Sequence, residues 1–147
     1  SLFMIAIDTN VLLRYLLNDD LKQSRKASAV IQGSQKVLIT DVVLVETIWT
    51  LKGKKYNQDK EGIVQVISAL FEEPTICFED GQSVWRALVD FKNAKSIKAG
   101  GKQKIADFPD ALIVNKAHFA SKNLGEALEC VYTFDVAAQK LPGTRKP

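Results

Sequence analysis

The stretch "FMIAIDTNVLLRYL", Phe3–Leu16, decides the fold. Its β-branched beginning, "MIAID", predicts a strand over residues 4–8, and "NVLLRYLL" predicts a helix over residues 10–17. Asp8 stands at the junction and is followed by two small polar residues, Thr9 and Asn10. A carboxylate at the end of a buried segment is costly unless it is paired or hydrated, so Asp8 needs a structural or a functional explanation.

Apolar β-branched runs alternate with longer helical patterns along the rest of the chain. Further strands are predicted over 36–40, 75–78 and 130–134, and further helices over 20–33, 41–54, 57–73, 81–94 and 108–124. Thr40 or Asp41 is expected to cap the third helix, Asn57 to open the fourth, and Asp80 to cap the fifth, with a loop through Gly100–Gly101. This alternation predicts an α/β sandwich with a mostly parallel sheet. Since no linker or repeat interrupts it, residues 1–147 are predicted to form a single domain.

Composition narrows the class of protein. The chain has 147 residues, of which 46% are hydrophobic and 25% charged, as in a globular protein. No apolar stretch approaches the roughly 18 residues that span a membrane, and no signal peptide is recognisable, so a cytoplasmic protein is expected. Cys77 and Cys130 lack CxxC spacing and are interpreted as buried thiols, with a metal site or a disulfide as alternatives. His118 is the only histidine, which excludes a mechanism that needs two imidazoles.

Acidic residues follow the ends of predicted strands or the starts of predicted helices. The candidates are Asp8, Glu46, Asp107, Asp110 and Asp135. Asp8 and Asp135 directly follow strands, and if both strands belong to one parallel sheet, their carboxylates emerge at the same edge. Each residue also has a structural explanation: Asp8, Asp107 or Asp110 could cap a helix, Glu46 could be a surface residue, and Asp135 could begin a turn.

Taken together, the carboxylates favour a cation. Two carboxylates about 4 Å apart repel by about 4 kcal/mol at an effective dielectric constant near 20. No arginine stands directly beside these acids in the sequence, and the acids supply hard oxygen ligands without histidine or cysteine. Such ligands suit Mg²⁺ or Mn²⁺ better than Zn²⁺. The pattern therefore predicts metal-dependent phosphoryl chemistry.

Lysines are clustered although the net charge is only +3. They could form a solvated face or contact a phosphate backbone. The substrate-binding candidates are Lys52, Lys98, Lys102 and Lys104.

The motifs "IDTNVLLRYL", "VLVETIWTL", "ADFPDALIV" and "TFD", in this order, resemble those of the PIN-domain nucleases, particularly the VapC-type toxins of toxin–antitoxin pairs. The resemblance implies a PIN-like three-layer α/β/α sandwich and an endoribonuclease that uses Mg²⁺ or Mn²⁺ to hydrolyse single-stranded RNA. It also implies a homodimer and an antitoxin that blocks the cleft. By position, the acidic quartet that binds metal and catalyses the reaction is Asp8, Glu46, Asp110 and Asp135, with Asp107 as an accessory acid and Thr9, Asn10 and Thr133 beside the quartet.

Three alternatives remain at this stage. A haloacid-dehalogenase-type phosphatase needs a second acid at the position of Asn10, and a response-regulator receiver needs a lysine after the last strand, where "TFD" has none. A PIN-like module could also bind RNA or a protein partner without cutting. Trp49 and Trp85 lie in apolar helical stripes and are expected in the core or in a dimer interface.

Overall fold

A parallel sheet of three strands organises the first of two compact units in the computed structural model, which describes residues 3–147. The first unit extends to Gly81, and the second begins at Gln82. The strands are β1 (Ile5–Ala6), β2 (Val37–Ile39) and β3 (Ile76–Phe78), in the order β1–β2–β3. Because the strands are parallel, their carboxyl ends share one edge of the sheet, and this is where Asp8 follows β1.

The helices of this unit begin at polar side chains that cap them. They are α1 (Thr9–Leu17), α2 (Leu21–Ile31), α3 (Asp41–Lys52) and α4 (Lys60–Glu72). The caps are Asp8, Asp20, Thr40 and Asp59, and each side chain accepts a hydrogen bond from the backbone N–H three residues further on. Such caps satisfy N–H groups that have no partner within the helix. The alternation of strand and helix predicted for this half of the chain is therefore confirmed.

The predicted start of α4 is wrong. Asn57 does not open the helix, because its backbone lies in the left-handed region with φ of 46°, and Asp59 caps the helix instead. Asparagine tolerates the left-handed conformation better than most residues, so Asn57 serves the turn before the helix.

Buried aliphatic side chains connect the sheet to these helices. Val37 and Ile39 point from β2 into the core, and Leu12 of α1 and Ile48 of α3 are fully buried. Removing a buried Leu or Ile side chain costs about 2–5 kcal/mol, so this packing holds α1 and α3 in the core of the unit. Asp8 and Thr9 lie at the beginning of α1, and Glu46 lies in the middle of α3.

The second unit contains two long helices and two pairs of short strands. These elements are α5 (Gly81–Asn93), β4 (Ile97–Ala99), β5 (Lys102–Lys104), α6 (Phe108–Asn123), β6 (Val131–Tyr132) and β7 (Thr144–Arg145). A short 3₁₀ helix, Ala138–Lys140, precedes β7. Phe91 of α5 packs edge-on against Phe108 of α6, with ring centroids 6.3 Å apart, and both rings are buried.

The predicted loop through Gly100–Gly101 is in fact the turn of a β-hairpin. Strands β4 and β5 pair antiparallel, with Ala99 opposite Lys102. Gly100 and Gly101 both have positive φ, 60° and 75°, as the two central residues of a type I′ hairpin turn require. The Gly-Gly pair is a typical hairpin signal, but the lysine-rich segments on either side of it lack the apolar alternation that predicts strands.

The strand before Asp135 does not belong to the sheet that contains β1. Strand β6 pairs in parallel with β7, where Val131 lies opposite Thr144. Within residues 3–147, the strands that precede Asp8 and Asp135 therefore lie in different sheets, and the shared edge expected if both strands belonged to one sheet is not observed. The segment around Thr144 is too short and polar to be recognised as a strand from its sequence, so this pairing could not be predicted.

Candidate active site

Asp8, Thr9 and Glu46 form the acidic part of the first unit. The Thr9 hydroxyl donates a hydrogen bond to Glu46 Oε1 at 2.9 Å, and it joins the first residue of α1 to the middle of α3. Oδ1 of Asp8 accepts the Val11 N–H at 3.0 Å as the cap of α1. Asp8 and Glu46 are both exposed, so solvent reaches their carboxylates. Thr9 therefore contacts Glu46, a member of the predicted quartet, directly.

The capping role of Asp8 does not exclude a functional one. A cap needs a single carboxylate oxygen, and a carboxylate has two oxygens that can accept several hydrogen bonds or bind a cation. Asn10, next along α1, is exposed and lines the same surface cavity as Asp8. Both explanations given for Asp8 from its sequence are therefore compatible with its geometry.

Asp107 and Asp110 form a reciprocal capping box at the start of α6. The Asp110 N–H donates to Asp107 Oδ1 and the Asp107 N–H donates to Asp110 Oδ2, each at 3.1 Å. Pro109 lies in the first turn, where a missing N–H has no cost. The two side chains are half-buried, and the box fixes their carboxylates side by side.

This arrangement changes the acidity of Asp110. Burial raises the pKa of Asp110 from 3.8 to about 6, helped by a hydrogen bond with the Asp107 side chain and by the negative charges of Asp107 and Asp135. A backbone hydrogen bond from Asp107 opposes the rise. Full ionisation of this carboxyl near neutral pH therefore carries a cost that a nearby cation would remove.

Asp135 shapes the turn after β6. Its Oδ1 accepts the N–H groups of Ala137 at 2.9 Å and of Ala138 at 3.0 Å. The Thr133 hydroxyl accepts the N–H of Asp135 at 3.1 Å, so the threonine fixes the backbone that carries the acid. Asp135 is exposed, and its charge acts on Asp110 within the same unit.

The chemistry of these donors fits a hard divalent cation. They are carboxylates with hydroxyl groups beside them, and the raised pKa of Asp110 marks negative charge that is not fully neutralised. Within residues 3–147, neither unit by itself brings three or more His, Cys, Asp or Glu side chains close enough to hold a metal ion. In each unit, carboxylate oxygens take part in the caps and turns described above.

The candidate lysines are solvent-exposed. Lys52 lies in the last turn of α3, Lys98 on β4, and Lys102 and Lys104 on β5. Since alternate residues of a strand share a face, Lys102 and Lys104 project from the same side of the hairpin, whereas Lys98 lies opposite Gln103. The three hairpin lysines therefore do not form one continuous row.

The tryptophans contradict the prediction of core positions. Trp49 is 58% exposed and Trp85 is 51% exposed. Trp49 lies three residues after Glu46, so it shares the exposed side of α3 with that acid. For Trp49 the prediction failed because α3 is apolar around more of its circumference than the core covers. A role of either residue in a dimer interface stays a prediction.

The first unit is an α/β fold with acidic groups beyond the carboxyl end of a strand in a parallel sheet. Proteins of this class bind their ligands at that edge of the sheet. The chain belongs to the PIN domain family, whose match covers residues 5–142 and so includes both units. PIN domains are generally metal-dependent nucleases, and the chain therefore has a nuclease-type fold. The predicted PIN-like α/β class is confirmed. Membership of this family argues against the phosphatase and receiver alternatives.

A search of curated proteins found no match to the chain. Among the helices of residues 3–147, none has both the length and the apolar character that crossing a membrane requires.

Proposed function

We propose that this PIN domain is an endoribonuclease that depends on Mg²⁺ or Mn²⁺ and acts as a VapC-type toxin. The observation that carries the proposal is the reciprocal capping box at the start of α6, which holds the half-buried carboxylates of Asp107 and Asp110 side by side. Burial and this neighbouring acid raise the pKa of Asp110 to about 6, so a bound cation would offset the cost of keeping both groups ionised at neutral pH. The four motifs that resemble VapC-type toxins support the narrower assignment.

The carboxylates that would hold the metal are those of Asp8, Glu46, Asp110 and Asp135. A cation held by these residues would supply positive charge to the phosphodiester oxygens and would lower the pKa of a water molecule for in-line attack. Thr9 orients Glu46 through its 2.9 Å hydrogen bond, and Thr133 holds the backbone of Asp135. Asp107 acts as the accessory acid, since its contacts with Asp110 keep that carboxylate in place.

The proposed substrate is single-stranded RNA. Attack by water breaks the bond between phosphorus and the 3′ oxygen, so the products carry 5′-phosphate and 3′-hydroxyl ends. Lys52 and the exposed lysines of the β4–β5 hairpin are proposed contacts for the phosphate backbone, which needs positive charge but no particular base.

The proposed partners are an antitoxin protein and a second copy of the chain, and the proposed location is the cytoplasm. The VapC-type resemblance supports both partners. The exposed ring of Trp49 also supports an interface, because tryptophan is enriched where protein surfaces meet.

Incubation with total RNA, with and without Mg²⁺ or Mn²⁺, tests the proposed activity. The wild-type protein should cut RNA only with metal, and Asp8→Asn should abolish cutting while it preserves the α1 cap, because asparagine is also a good N-cap. Asp59→Asn is the matched control, since Asp59 caps α4 with the same geometry and has no proposed role in catalysis. Cyclic phosphate ends, or equal cutting by Asp8→Asn, would refute the mechanism. Metal-independent RNA binding without cutting would favour the non-catalytic module.

A further inference from the structure

A surface cavity of about 310 Å³ lies between α1 and α2 in the first unit. Its α1 side is formed by the N-cap and one face of the helix: Asp8, Asn10, Val11 and Arg14. Its α2 side is formed by residues spaced at helical intervals: Gln23, Lys26, Ala27 and Val30.

The cavity combines apolar walls with polar groups of two kinds. Val11, Ala27 and Val30 supply the apolar surface. Asn10 and Gln23 supply side-chain amides, each with donors and an acceptor, and Arg14 and Lys26 supply positive charge. Asp8 is the only acid among the residues that line the cavity, so the two positive side chains outnumber the negative one.

The guanidinium of Arg14 is held in a fixed position at the wall of the cavity. Its Nη1 forms an ion pair with Asp19 Oδ1 at 2.8 Å, and the Tyr56 hydroxyl donates to Asp19 Oδ2 at 3.3 Å. Arginine side chains that line RNA-binding cavities can stack their planar guanidinium on a base.

We infer that this cavity is the pocket for one unstacked nucleobase of the RNA substrate, and that Gln23 is a specificity-determining residue. The inference rests on the proposed ribonuclease function. Proteins that recognise single-stranded RNA stack its bases on aromatic or arginine side chains and hydrogen-bond their edges, and the cavity is lined by one arginine and two amides. Its volume is at the lower end of the roughly 300–1,000 Å³ of small-molecule pockets, which suits a single nucleotide.

The position of the cavity gives the base a defined place in the substrate. Because Asp8 is both a wall of the cavity and a proposed metal ligand, the bound base belongs to a nucleotide close to the bond that is cut. Lys26 is then placed to contact the phosphate of that nucleotide. An apolar side chain of a protein partner suits the cavity less well, because it would leave the amides of Asn10 and Gln23 without partners.

The test is the cleavage of a single-stranded RNA library with randomised bases, in which the ends are sequenced and KM and kcat are measured on one selected substrate. The variants are Gln23→Ala, Lys26→Ala and Val30→Trp, the last of which fills the cavity from a position that is 40% exposed. The matched controls are Lys22→Ala, on α2 outside the cavity, and Gln65→Ala, on the exposed side of α4.

The wild-type protein should prefer particular bases at one position beside the cut. Gln23→Ala should weaken that preference by about tenfold, as expected for the loss of one well-formed hydrogen bond pair. Lys26→Ala and Val30→Trp should raise KM by about tenfold with little change in kcat, and both controls should resemble the wild type.

If the wild type cuts and all three cavity variants keep its base preference and KM, the inference is wrong while the proposed function stands. Loss of antitoxin binding alone, with RNA cleavage unchanged, would assign the cavity to a protein and overturn the inference as well. If the wild type does not cut RNA with either metal, the proposed function itself fails.

Discussion

Replacing Asp110 with asparagine should stabilise the metal-free protein at neutral pH although it abolishes activity. The change removes a half-buried charge beside Asp107 and Asp135, and it keeps an oxygen that can accept the Asp107 N–H in the capping box. The α6 cap therefore survives while the electrostatic cost disappears.

The magnitude follows from the acidity of the group. A rise in the Asp110 pKa from 3.8 to about 6 is equivalent to a ceiling of about 3 kcal/mol, at about 1.4 kcal/mol per pH unit. Because the side chain is only half-buried, solvent screening reduces this to about 1–2 kcal/mol. Asp110→Asn should raise the free energy of unfolding by about that amount at pH 7.5.

The sign of the pH dependence can be worked out. Between about pH 4 and pH 6 the folded wild-type protein holds more protons at Asp110 than the unfolded chain does, so this group makes stability fall as the pH rises through that window. The loss of stability caused by ionised Asp110 is complete above the pKa of this group in the folded protein and absent below its pKa in the unfolded chain. The gain from Asp110→Asn should accordingly be large at pH 7.5 and close to zero at pH 4.

Urea denaturation in EDTA at pH 4 and at pH 7.5, for the wild type and Asp110→Asn, measures this difference. Asp59→Asn is the control for replacing an exposed capping aspartate. A variant that is less stable than the wild type at pH 7.5, or a stability difference that does not change with pH, would refute the electrostatic reasoning.

Three further predictions concern the groups around the quartet. Thr9→Val removes the hydrogen bond to Glu46 and should lower kcat about tenfold with less than about 1 kcal/mol lost in unfolding, and Thr9→Ser should restore activity in the same cleavage assay. Asp135→Ala should lose both activity and about 1 kcal/mol, because two N–H groups lose their acceptor, whereas Asp135→Asn should lose activity alone in paired cleavage and denaturation measurements. The triple variant Lys98→Ala, Lys102→Ala and Lys104→Ala should bind RNA of every sequence more weakly. The slope of log K against log salt concentration, measured by fluorescence anisotropy, should become shallower by up to about 2. An unchanged slope would show that the hairpin does not contact the RNA.

The elements that were predicted correctly carry local signals. Asp8 and Thr40 directly precede helices and accept the N–H three residues on, and such capping depends only on neighbouring residues. The helix that begins at Phe108 was recognisable from Pro109 and from the acids at the positions of a capping box.

The elements that were missed depend on tertiary context. Asn57 and Asp59 are both good caps, and only the backbone conformation of Asn57 decides between them. The partner of β6 is a segment near the C-terminus that has no strand signal of its own. The exposure of Trp49 depends on which side of α3 the core covers, and a helix that is apolar on most sides does not reveal this.

The candidate site was only partly predictable for the same reason. The residue types of the quartet and their positions after strands and at helix starts could be recognised in the sequence. The contact between Thr9 and Glu46 joins residues 37 positions apart and requires α1 and α3 to pack together. The raised pKa of Asp110 requires burial as well as proximity to Asp107, which spacing along the chain does not determine.

The central claim is that the quartet carboxylates bind a divalent cation. Calorimetric titration of the metal-free protein with Mn²⁺ tests it most directly, with the wild type, Glu46→Gln from the first unit, Asp135→Asn from the second, and Asp59→Asn as the control. The account predicts that either quartet substitution weakens the same binding event by tenfold or more, while the control binds like the wild type. Mn²⁺ binding that Glu46→Gln or Asp135→Asn leaves unchanged would contradict the claim.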